Sequence, residues 1–175
     1  PKPQNPNTSN SNIIYKLTNM KQKLIEDTFY VADINKDGKV FEKVSRISGK
    51  TETNKLEIEL DVNTDIYPMV KGQYYALVLA NSLTADGVEE FDLFRHANTN
   101  SAADHPMQGS NLIDQYDYVM HGKIFEDKLQ EEKEGQMLSV FISFGGLLMS
   151  IKGKHKDLKD LEMDSRPYIC LKLIG

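Results

Sequence analysis

Four residues in the first quarter of the chain have the spacing of a calcium-binding loop. Asp33, Asn35, Asp37 and Gly38 match the first half of an EF-hand loop, in which oxygen ligands alternate along the chain before a glycine turn. A complete loop needs a bidentate Glu at its twelfth position, where this chain has Val44. We therefore predict a hairpin turn here and no metal site, with an EF-hand calcium sensor as the weaker alternative.

The other nucleophiles and metal-ligating residues lack catalytic spacing. The four histidines have no partner at i+4 and no nearby Cys or acid at zinc-site spacing: His96, His105, His121 and His155. Cys170 stands among apolar residues near the end of the chain, which indicates a buried, inert thiol. Ser143 lacks the Gly two residues earlier that a nucleophile elbow requires, because Phe141 is there. We predict no catalytic residue and no cofactor.

The charge balance favours protein partners over nucleic acid. The chain has 21 Lys and Arg against 26 Asp and Glu, a net charge of -5, whereas proteins that neutralise phosphates usually carry a basic surplus. One basic cluster exists, and two acids dilute it: Lys152, Lys154, His155, Lys156 and Lys159, with Asp157 and Asp160. We expect at most weak direct contact with nucleic acid.

The cysteine count and the apolar runs bear on the compartment. A single cysteine excludes an internal disulfide and multi-cysteine metal sites, so we expect a reducing, intracellular compartment. The most apolar stretch, residues 140–151, is shorter than the roughly 18 to 20 residues of a membrane span. We therefore predict no membrane segment and no signal peptide. Because position 1 is not Met, we expect a trimmed or partial chain.

Residues 1–23 read as an extension of a single domain that spans 24–175. Residues 1–12 are Pro- and Asn-rich with nothing apolar to bury, which predicts disorder. In 13–25, apolar residues recur at helical spacing, which predicts a short amphipathic helix or an arm that orders on a partner.

The domain itself has the period-two pattern of β-strands. Residues 56–62 alternate apolar and acidic side chains, and 74–80 form a continuous apolar run that is typical of a strand buried on both faces. About eight strands are predicted, at 29–31, 40–47, 56–62, 74–80, 116–125, 137–144, 147–152 and 167–174. Turn dipeptides separate them at 37–38, 71–72, 86–87 and 145–146, which favours antiparallel hairpins. We predict mobile loops at 89–114 and 127–136, one short helix within 155–163, and an all-β barrel.

Five motifs in these strands resemble a known family. In order along the chain they are Val44-Ser45-Arg46; Leu60-Asp61-Val62-Asn63 with Ile66-Tyr67-Pro68; Tyr118-Val119-Met120 with Gly122-Lys123; Ser143-Phe144-Gly145-Gly146-Leu147-Leu148-Met149; and Asp164-Ser165-Arg166 with Tyr168. Together they closely resemble the eighth-subunit family, the small subunit shared by eukaryotic nuclear RNA polymerases I, II and III. The resemblance runs from about residue 24 to 173. The chain departs from the family pattern in its arm at 1–23, in Phe144 where Tyr is common, and in Pro167.

The resemblance implies an antiparallel barrel of the oligonucleotide/oligosaccharide-binding (OB) type without a cofactor. It also implies a non-catalytic assembly subunit in the nucleus and nucleolus, in contact with the largest subunit and other core subunits of the polymerases. The alternative is a free OB-type protein that binds single-stranded nucleic acid, which the fold alone would permit.

A candidate subunit interface lies where the chain turns between two strands. Consecutive apolar residues at 147–149 must point to both faces of one strand, so Leu148 and Phe144 are expected on the exposed face. Gly145 and Gly146 would let a partner backbone approach, and Arg166 could bind a carboxylate at the rim. The alternative is that the 155–163 helix covers Leu148.

Overall fold

The computed structural model describes residues 23–84 and 112–175. Nine strands lie within these residues: β1 (Lys23–Ile34), β2 (Val44–Thr51), β3 (Glu57–Asn63), β4 (Tyr74–Ala80), β5 (Tyr118–His121), β6 (Lys123–Glu132), β7 (Gly135–Phe144), β8 (Leu147–Lys154) and β9 (Tyr168–Leu173). A 3-10 helix at Leu112–Gln115 precedes β5, and the single-turn helix α1 (His155–Leu158) follows β8. No helix in this part of the chain is long and apolar enough to cross a bilayer.

The nine strands form one antiparallel sheet that curls into a half-barrel. Their order is β5-β9-β4-β1-β2-β3-β8-β7-β6, so β5 and β6 are the two edge strands. These edge strands are consecutive in the chain and separated only by Gly122, which requires the two ends of the sheet to approach each other. Across the seam, the Gly122 amide donates to the Pro167 carbonyl at 3.0 Å and the Ile124 amide to the Ser165 carbonyl at 3.0 Å. The predicted all-β, antiparallel barrel is confirmed as a partly open barrel.

The concave face of the sheet holds the main core. On and beside β3, Leu56, Ile58, Leu60 and Val62 are buried, as their period-two pattern predicts. The same face receives Phe29 from β1, and other buried members of the core are Ile47, Tyr75, Leu77, Leu79, Val140, Ile142, Met149, Ile151 and Leu171. Alternate residues of these strands therefore point to the convex side, which is called the outer face below.

Strand β4 is buried on both sides, as its continuous apolar run predicts. Its outer-face residues Val78 and Ala80 join Cys170 in a second cluster, which Leu83 and Leu112 cover from the segments that flank the undescribed residues 85–111. The predicted burial of Cys170 is confirmed.

A buried carboxylate organises the connection between β2 and β3. Asp27 of β1 accepts hydrogen bonds from the amides of Thr28 at 2.8 Å, Thr53 at 3.0 Å and Asn54 at 2.8 Å. Burial alone would raise the pKa of Asp27, but these bonds outweigh it and hold that pKa below its ordinary value of 3.8. The charge of Asp27 thus stabilises the folded turn.

Two predicted elements are wrong where the structure describes them. The loop expected at 127–136 is the far part of a hairpin in which β6 pairs with β7 up to Glu132 and Gly135. The helix expected at 13–25 lies mostly outside the described residues, and its last part, Lys23 to Ile25, begins β1. A register shift between Lys23 and Ile25 buries the consecutive side chains of Leu24 and Ile25, so the sequence does not show the period-two pattern of a strand there.

Smaller differences concern boundaries. The strand expected at 40–47 begins only at Val44, and the one expected at 116–125 is divided by Gly122 into β5 and β6. The predicted extension at 1–23 except Lys23, the turn at 86–87, and residues 89–111 of the predicted loop lie outside the described residues. The predicted turns at Gly38, Gly72, Gly145 and Gly146 are confirmed by positive φ angles.

Candidate functional site

Three apolar side chains make an exposed patch on the outer face where β6, β7 and β8 meet. We call Phe125, Phe141 and Leu148 the outer patch. Phe125 and Leu148 are 46% and 42% exposed, and the rings of Phe125 and Phe141 lie 6.4 Å apart between centroids. Together with Arg46 and Glu59 they line a groove of about 150 Å³. Exposed apolar surface of this kind is typical of a protein contact site.

The register of the sheet explains how the patch forms. Leu148 pairs with Ser143, and Phe141 pairs with Ser150, so the apolar side chains alternate with small serines that leave the groove open. A β-bulge in β6 at Phe125 turns its ring out beside Phe141. Lys128 lies 5.1 Å above the centroid of the Phe141 ring, in a cation–π contact at the border of the patch.

A buried carboxylate fixes the strand that carries Leu148. Asp61 on β3 accepts bonds from Arg46 Nε at 2.8 Å and Nη2 at 3.0 Å, and a third from the Leu148 amide at 3.2 Å. The Asp61 side chain is only 12% exposed, and its bonds raise the pKa of the Arg46 guanidinium further above the physiological range. Three separate motifs of the sequence thus meet at one carboxylate beside the patch.

Ion pairs surround the patch on the outer face of β2, β3, β6 and β8. Besides Arg46–Asp61, the pairs are Lys36–Glu59, Lys50–Glu57 at 2.8 Å, Lys128–Glu126 at 3.0 Å and Lys152–Glu132 at 2.7 Å. A second groove of about 420 Å³ crosses this area, and its charged lining consists of three lysines and three acids, which cancel: Lys36, Lys50, Lys152, Asp33, Glu57 and Glu59. The surface is therefore mixed in charge and offers little net attraction to a polyanion.

The structure places four of the five predicted interface residues on the β7–β8 hairpin, and three of these are exposed: Gly145, Gly146 and Leu148. Gly145 and Gly146 form the β7–β8 turn with φ of 61° and 100°, and both are exposed. Leu148 follows them on the outer face. Because Leu148 is exposed, the alternative in which the 155–163 helix covers it is wrong. Helix α1 instead places Leu158 near Gly153, toward the other end of β8.

Phe144 and Arg166 differ from the other three. The expectation that Phe144 is exposed is wrong: its side chain is 4% exposed and points into the core. A Cβ at Gly122 would lie 2.5 Å from the Phe144 ring, so ring and backbone pack directly. Arg166 is exposed and precedes Pro167. The Pro167 carbonyl accepts the hydrogen bond that the Gly122 amide donates across the seam. Arg166 therefore lies across the seam from Phe144 and does not belong to the outer patch.

Sequence reasoning did not single out Phe125, Arg46 or Asp61 as site residues. The acidic face of 56–62 gave a usable signal for Asp61, because its apolar neighbours are buried and an Arg on the adjacent strand can reach it. The sequence gives no such signal for Phe125, because its exposure depends on a β-bulge that interrupts the period-two pattern of β6.

The calcium-like segment is a hairpin connection. Asp33 and Val44 lie on β1 and β2, which pair with each other where an EF-hand would have helices. Asn35 adopts φ of 52° and accepts the Arg46 amide at 2.8 Å, which closes the hairpin. Among residues 23–84 and 112–175, no group of three or more His, Cys, Asp or Glu could hold a metal ion.

Two of the four histidines, His121 and His155, lie within the described residues. His121 stacks on Tyr168 with 4.1 Å between ring centroids, and its Nε2 lies 3.1 Å from the Arg166 carbonyl. His155 begins α1. His96 and His105 lie outside the described residues.

Comparison with known proteins identifies the family. The sequence model described as RNA polymerase Rpb8 matches residues 26–173. A Dictyostelium discoideum protein named DNA-directed RNA polymerases I, II, and III subunit rpabc3 is 38% identical over 153 residues, covering 87% of this chain and 99% of the relative.

Two further relatives agree. DNA-directed RNA polymerases II, IV and V subunit 8B of Arabidopsis thaliana is 31% identical over 149 residues, covering 85% of this chain and 94% of its own. The RPABC3 subunit of DNA-directed RNA polymerases I, II, and III of Saccharomyces cerevisiae is 30% identical over 151 residues. The match covers 83% of this chain and 95% of the relative. Since the match runs through almost the whole barrel, from β1 to β9, this chain belongs to the RNA polymerase Rpb8 family.

Proposed function

We propose that this chain is a non-catalytic structural subunit shared by DNA-directed RNA polymerases I, II and III, and that it works in the nucleus and nucleolus. The relatives from Dictyostelium and Saccharomyces are named as subunits of these three enzymes, and the barrel accounts for almost all of their length. The Arabidopsis relative is named for polymerases II, IV and V. The family is therefore associated with more than one polymerase in each of these organisms.

The non-catalytic role is supported by how the carboxylates are used. Nucleotide transfer on a polymerase needs several carboxylates that hold metal ions together. On the outer face, Asp61, Glu57 and Glu59 each bind a cationic side chain of the same sheet. Asp27 is occupied by backbone amides. These acids stabilise the barrel rather than converge on a ligand.

The observation that carries the proposal is the outer patch beside a fixed turn. Leu148 projects into solvent from a strand that Asp61 holds in place, and the Gly145–Gly146 turn at its base has no side chain to obstruct a partner. Rigid apolar anchors next to polar groups are the usual core of a protein interface. We infer that the outer patch docks on the largest polymerase subunit, and that Arg166, which lies outside the patch, makes a separate contact with a carboxylate of a core subunit.

The alternative, a free OB-type protein that binds single-stranded nucleic acid, has weaker support. Such proteins combine a net positive groove with exposed aromatic side chains. The outer face does expose Phe125, but the lysines near it are neutralised by acids of the same sheet. Few phosphates could be bound there without breaking these pairs.

Co-purification tests the proposal. The tagged full chain, expressed in its own cells, should sediment in a very large complex and co-purify with the largest polymerase subunit. Leu148→Asp should lower recovery of that subunit on the order of tenfold, as loss of a central interface anchor does, and Arg166→Ala should lower it less. Leu173→Asp is the matched control, because Leu173 is a leucine of similar exposure, 44%, on β9.

The results separate the two levels of the proposal. A wild-type chain that sediments alone would overturn the polymerase assignment. A folded Leu148→Asp variant that associates as well as Leu173→Asp would overturn the outer patch as the docking site, while the assignment itself would stand.

A further inference from the structure

The outer strand of the β6–β7 hairpin has a backbone edge without a partner in the described chain. Among the described strands, β6 pairs only with β7 and ends the sheet on that side. At its beginning, both backbone groups of Ile124 bond across the edge, to the Ser165 carbonyl at 3.0 Å and the Asp164 amide at 3.2 Å. Among residues 23–84 and 112–175, no backbone group bonds to this edge after Ile124. Within the part of the chain that the structure describes, the first part of the edge is therefore used and the rest is open.

The register shows which groups the open edge presents. In an antiparallel pair, the residues that point their N–H and C=O away from the neighbour alternate with those that bond to it. The backbone N–H and C=O of Ile124, which lies opposite Ile142, point away from β7. After the bulge, the corresponding outward positions are Asp127 opposite Val140, Leu129 opposite Leu138, and Glu131 opposite Gln136. We call these three residues the open edge.

The side chains of the open edge share one face and have a defined chemistry. Leu129 is more than half exposed, and an acid stands two residues away on each side of it. Neither Asp127 nor Glu131 forms an ion pair within the described chain, whereas Glu126 and Glu132 of the opposite face do. Residues 126–136 contain five acids and two lysines, a net charge of -3.

We propose that the open edge binds an extended basic segment of a partner protein by strand addition. The added strand would place an apolar side chain beside Leu129 and a Lys or Arg beside Asp127 and Glu131. This basic–x–apolar–x–basic pattern reads the same in both directions, so it holds for a parallel or an antiparallel strand. A second copy of this chain is disfavoured as the occupant, because two acidic edges would repel each other.

The inference deepens the proposed function, because assembly into a polymerase would supply the strand. Charges on a sheet edge can also serve only to prevent pairing, and lysine is the common choice for that purpose. Here the acids flank an exposed leucine on a strand of ten residues whose first groups already bind another segment. These features favour a docking edge.

A pair of peptides tests the edge directly on the full chain. The probe is acetylated Thr-Lys-Thr-Val-Thr-Lys-Thr, and its matched control has Glu in place of both Lys. Amide NMR of the ¹⁵N-labelled protein should show shifts confined to residues 126–132 with the basic peptide, and hydrogen exchange should slow at Asp127, Leu129 and Glu131. The acidic peptide should bind at least about tenfold more weakly, because it would place like charges directly opposite each other. Equal binding of both peptides, or no shift at millimolar peptide, would overturn the inference.

Two variants distinguish backbone pairing from general charge attraction. Leu129→Pro removes an outward N–H that the hairpin does not use, so the hairpin should persist while binding of the basic peptide falls about tenfold or more. Asp127→Lys with Glu131→Lys should reverse the preference and bind the acidic peptide, and it decides the question if Leu129→Pro fails to fold. Retention of the basic peptide by both variants would contradict strand addition.

Co-purification links the edge to assembly. If the wild-type chain recovers the polymerase and Leu129→Pro recovers it in much lower yield, the edge contributes to docking. Full recovery with a folded Leu129→Pro, together with no peptide binding, would overturn the edge and leave the proposed function intact. A wild-type chain that recovers no polymerase while the basic peptide still binds would overturn the function and leave the edge.

Discussion

Replacement of Asp61 by asparagine should destabilise the barrel and loosen the strand that carries Leu148. The substitution keeps the volume of the side chain but converts one acceptor oxygen into an NH₂ donor. In the wild type, one oxygen accepts Arg46 Nε and the other accepts both Arg46 Nη2 and the Leu148 amide. Either orientation of the new amide therefore sets a donor against at least one N–H group, and the negative charge that all three bonds share is lost.

The expected cost is about 2 kcal/mol. A buried hydrogen bond to a charged group contributes about 1.5 to 3 kcal/mol, and the low end applies because Arg46 is 42% exposed and can be rehydrated. For a chain of this size the change corresponds to a fall in Tm of about 4 to 8 °C. Glu59→Gln is the matched control, because Glu59 lies on the same face of β3 and its pair with Lys36 is more exposed, at 38% and 44%. Its cost should stay below about 0.5 kcal/mol.

Urea unfolding at pH 7, followed by circular dichroism, measures both changes as shifts of the midpoint at constant slope. Hydrogen exchange adds a local readout, since the Leu148 amide should exchange faster in Asp61→Asn than in Glu59→Gln. Equal stability of the two variants, with unchanged protection of Leu148, would refute the view that Asp61 fixes this strand.

Three further predictions concern the turn, the seam and nucleic acid. Hydrogen bonds lower the pKa of Asp27 in the folded chain, so the stability that Asp27 contributes is present above its ordinary pKa of 3.8 and is lost as pH falls through the lower folded value. The difference in unfolding free energy between wild type and Asp27→Ala should therefore shrink in urea melts from pH 7 to pH 2. A constant difference would contradict this. Gly122→Ala should cost about 1 to 3 kcal/mol in the same assay, since its Cβ would lie 2.5 Å from the Phe144 ring and 2.6 Å from the Ser143 carbonyl oxygen. Phe144→Leu in the same chain should recover the part of the loss that the ring causes, and no recovery would contradict a clash with the ring. Binding of single-stranded DNA, measured by fluorescence anisotropy, should be weak and vanish between about 50 and 200 mM salt, because Lys50, Lys128 and Lys152 on the outer face each pair with a glutamate. Salt-resistant binding would instead favour the nucleic-acid alternative.

The parts of the fold that follow from the sequence are those in which one face of a strand is core. At β3 the alternation of apolar and acidic residues gives both the element and its orientation, because burial imposes a period of two. The double burial of β4 likewise follows from its unbroken apolar run. The exposure of Leu148 follows from the same rule, since consecutive apolar residues cannot all face one side.

The elements that sequence reasoning missed lie where burial gives no pattern. Residues 126–132 of β6 extend beyond the core and are mostly exposed on both faces, so their charges resemble those of a loop. What fixes this strand is backbone pairing with β7, and β7 is recognisable only by its own apolar half. Phe144 was misplaced for a related reason. It is the last core residue before the turn, and its burial depends on the absence of a side chain at Gly122.

Phe125 connects the two candidate contact sites on this subunit. The bulge at Phe125 turns its ring toward Phe141 in the outer patch and also marks the point after which the edge of β6 has no described partner. A strand added at Asp127, Leu129 and Glu131 would pass next to this exposed ring and reduce its contact with water. The apolar anchor at the patch and the backbone pairing at the edge are therefore adjacent, and a single partner that offers an apolar surface followed by a basic extended segment could cover both.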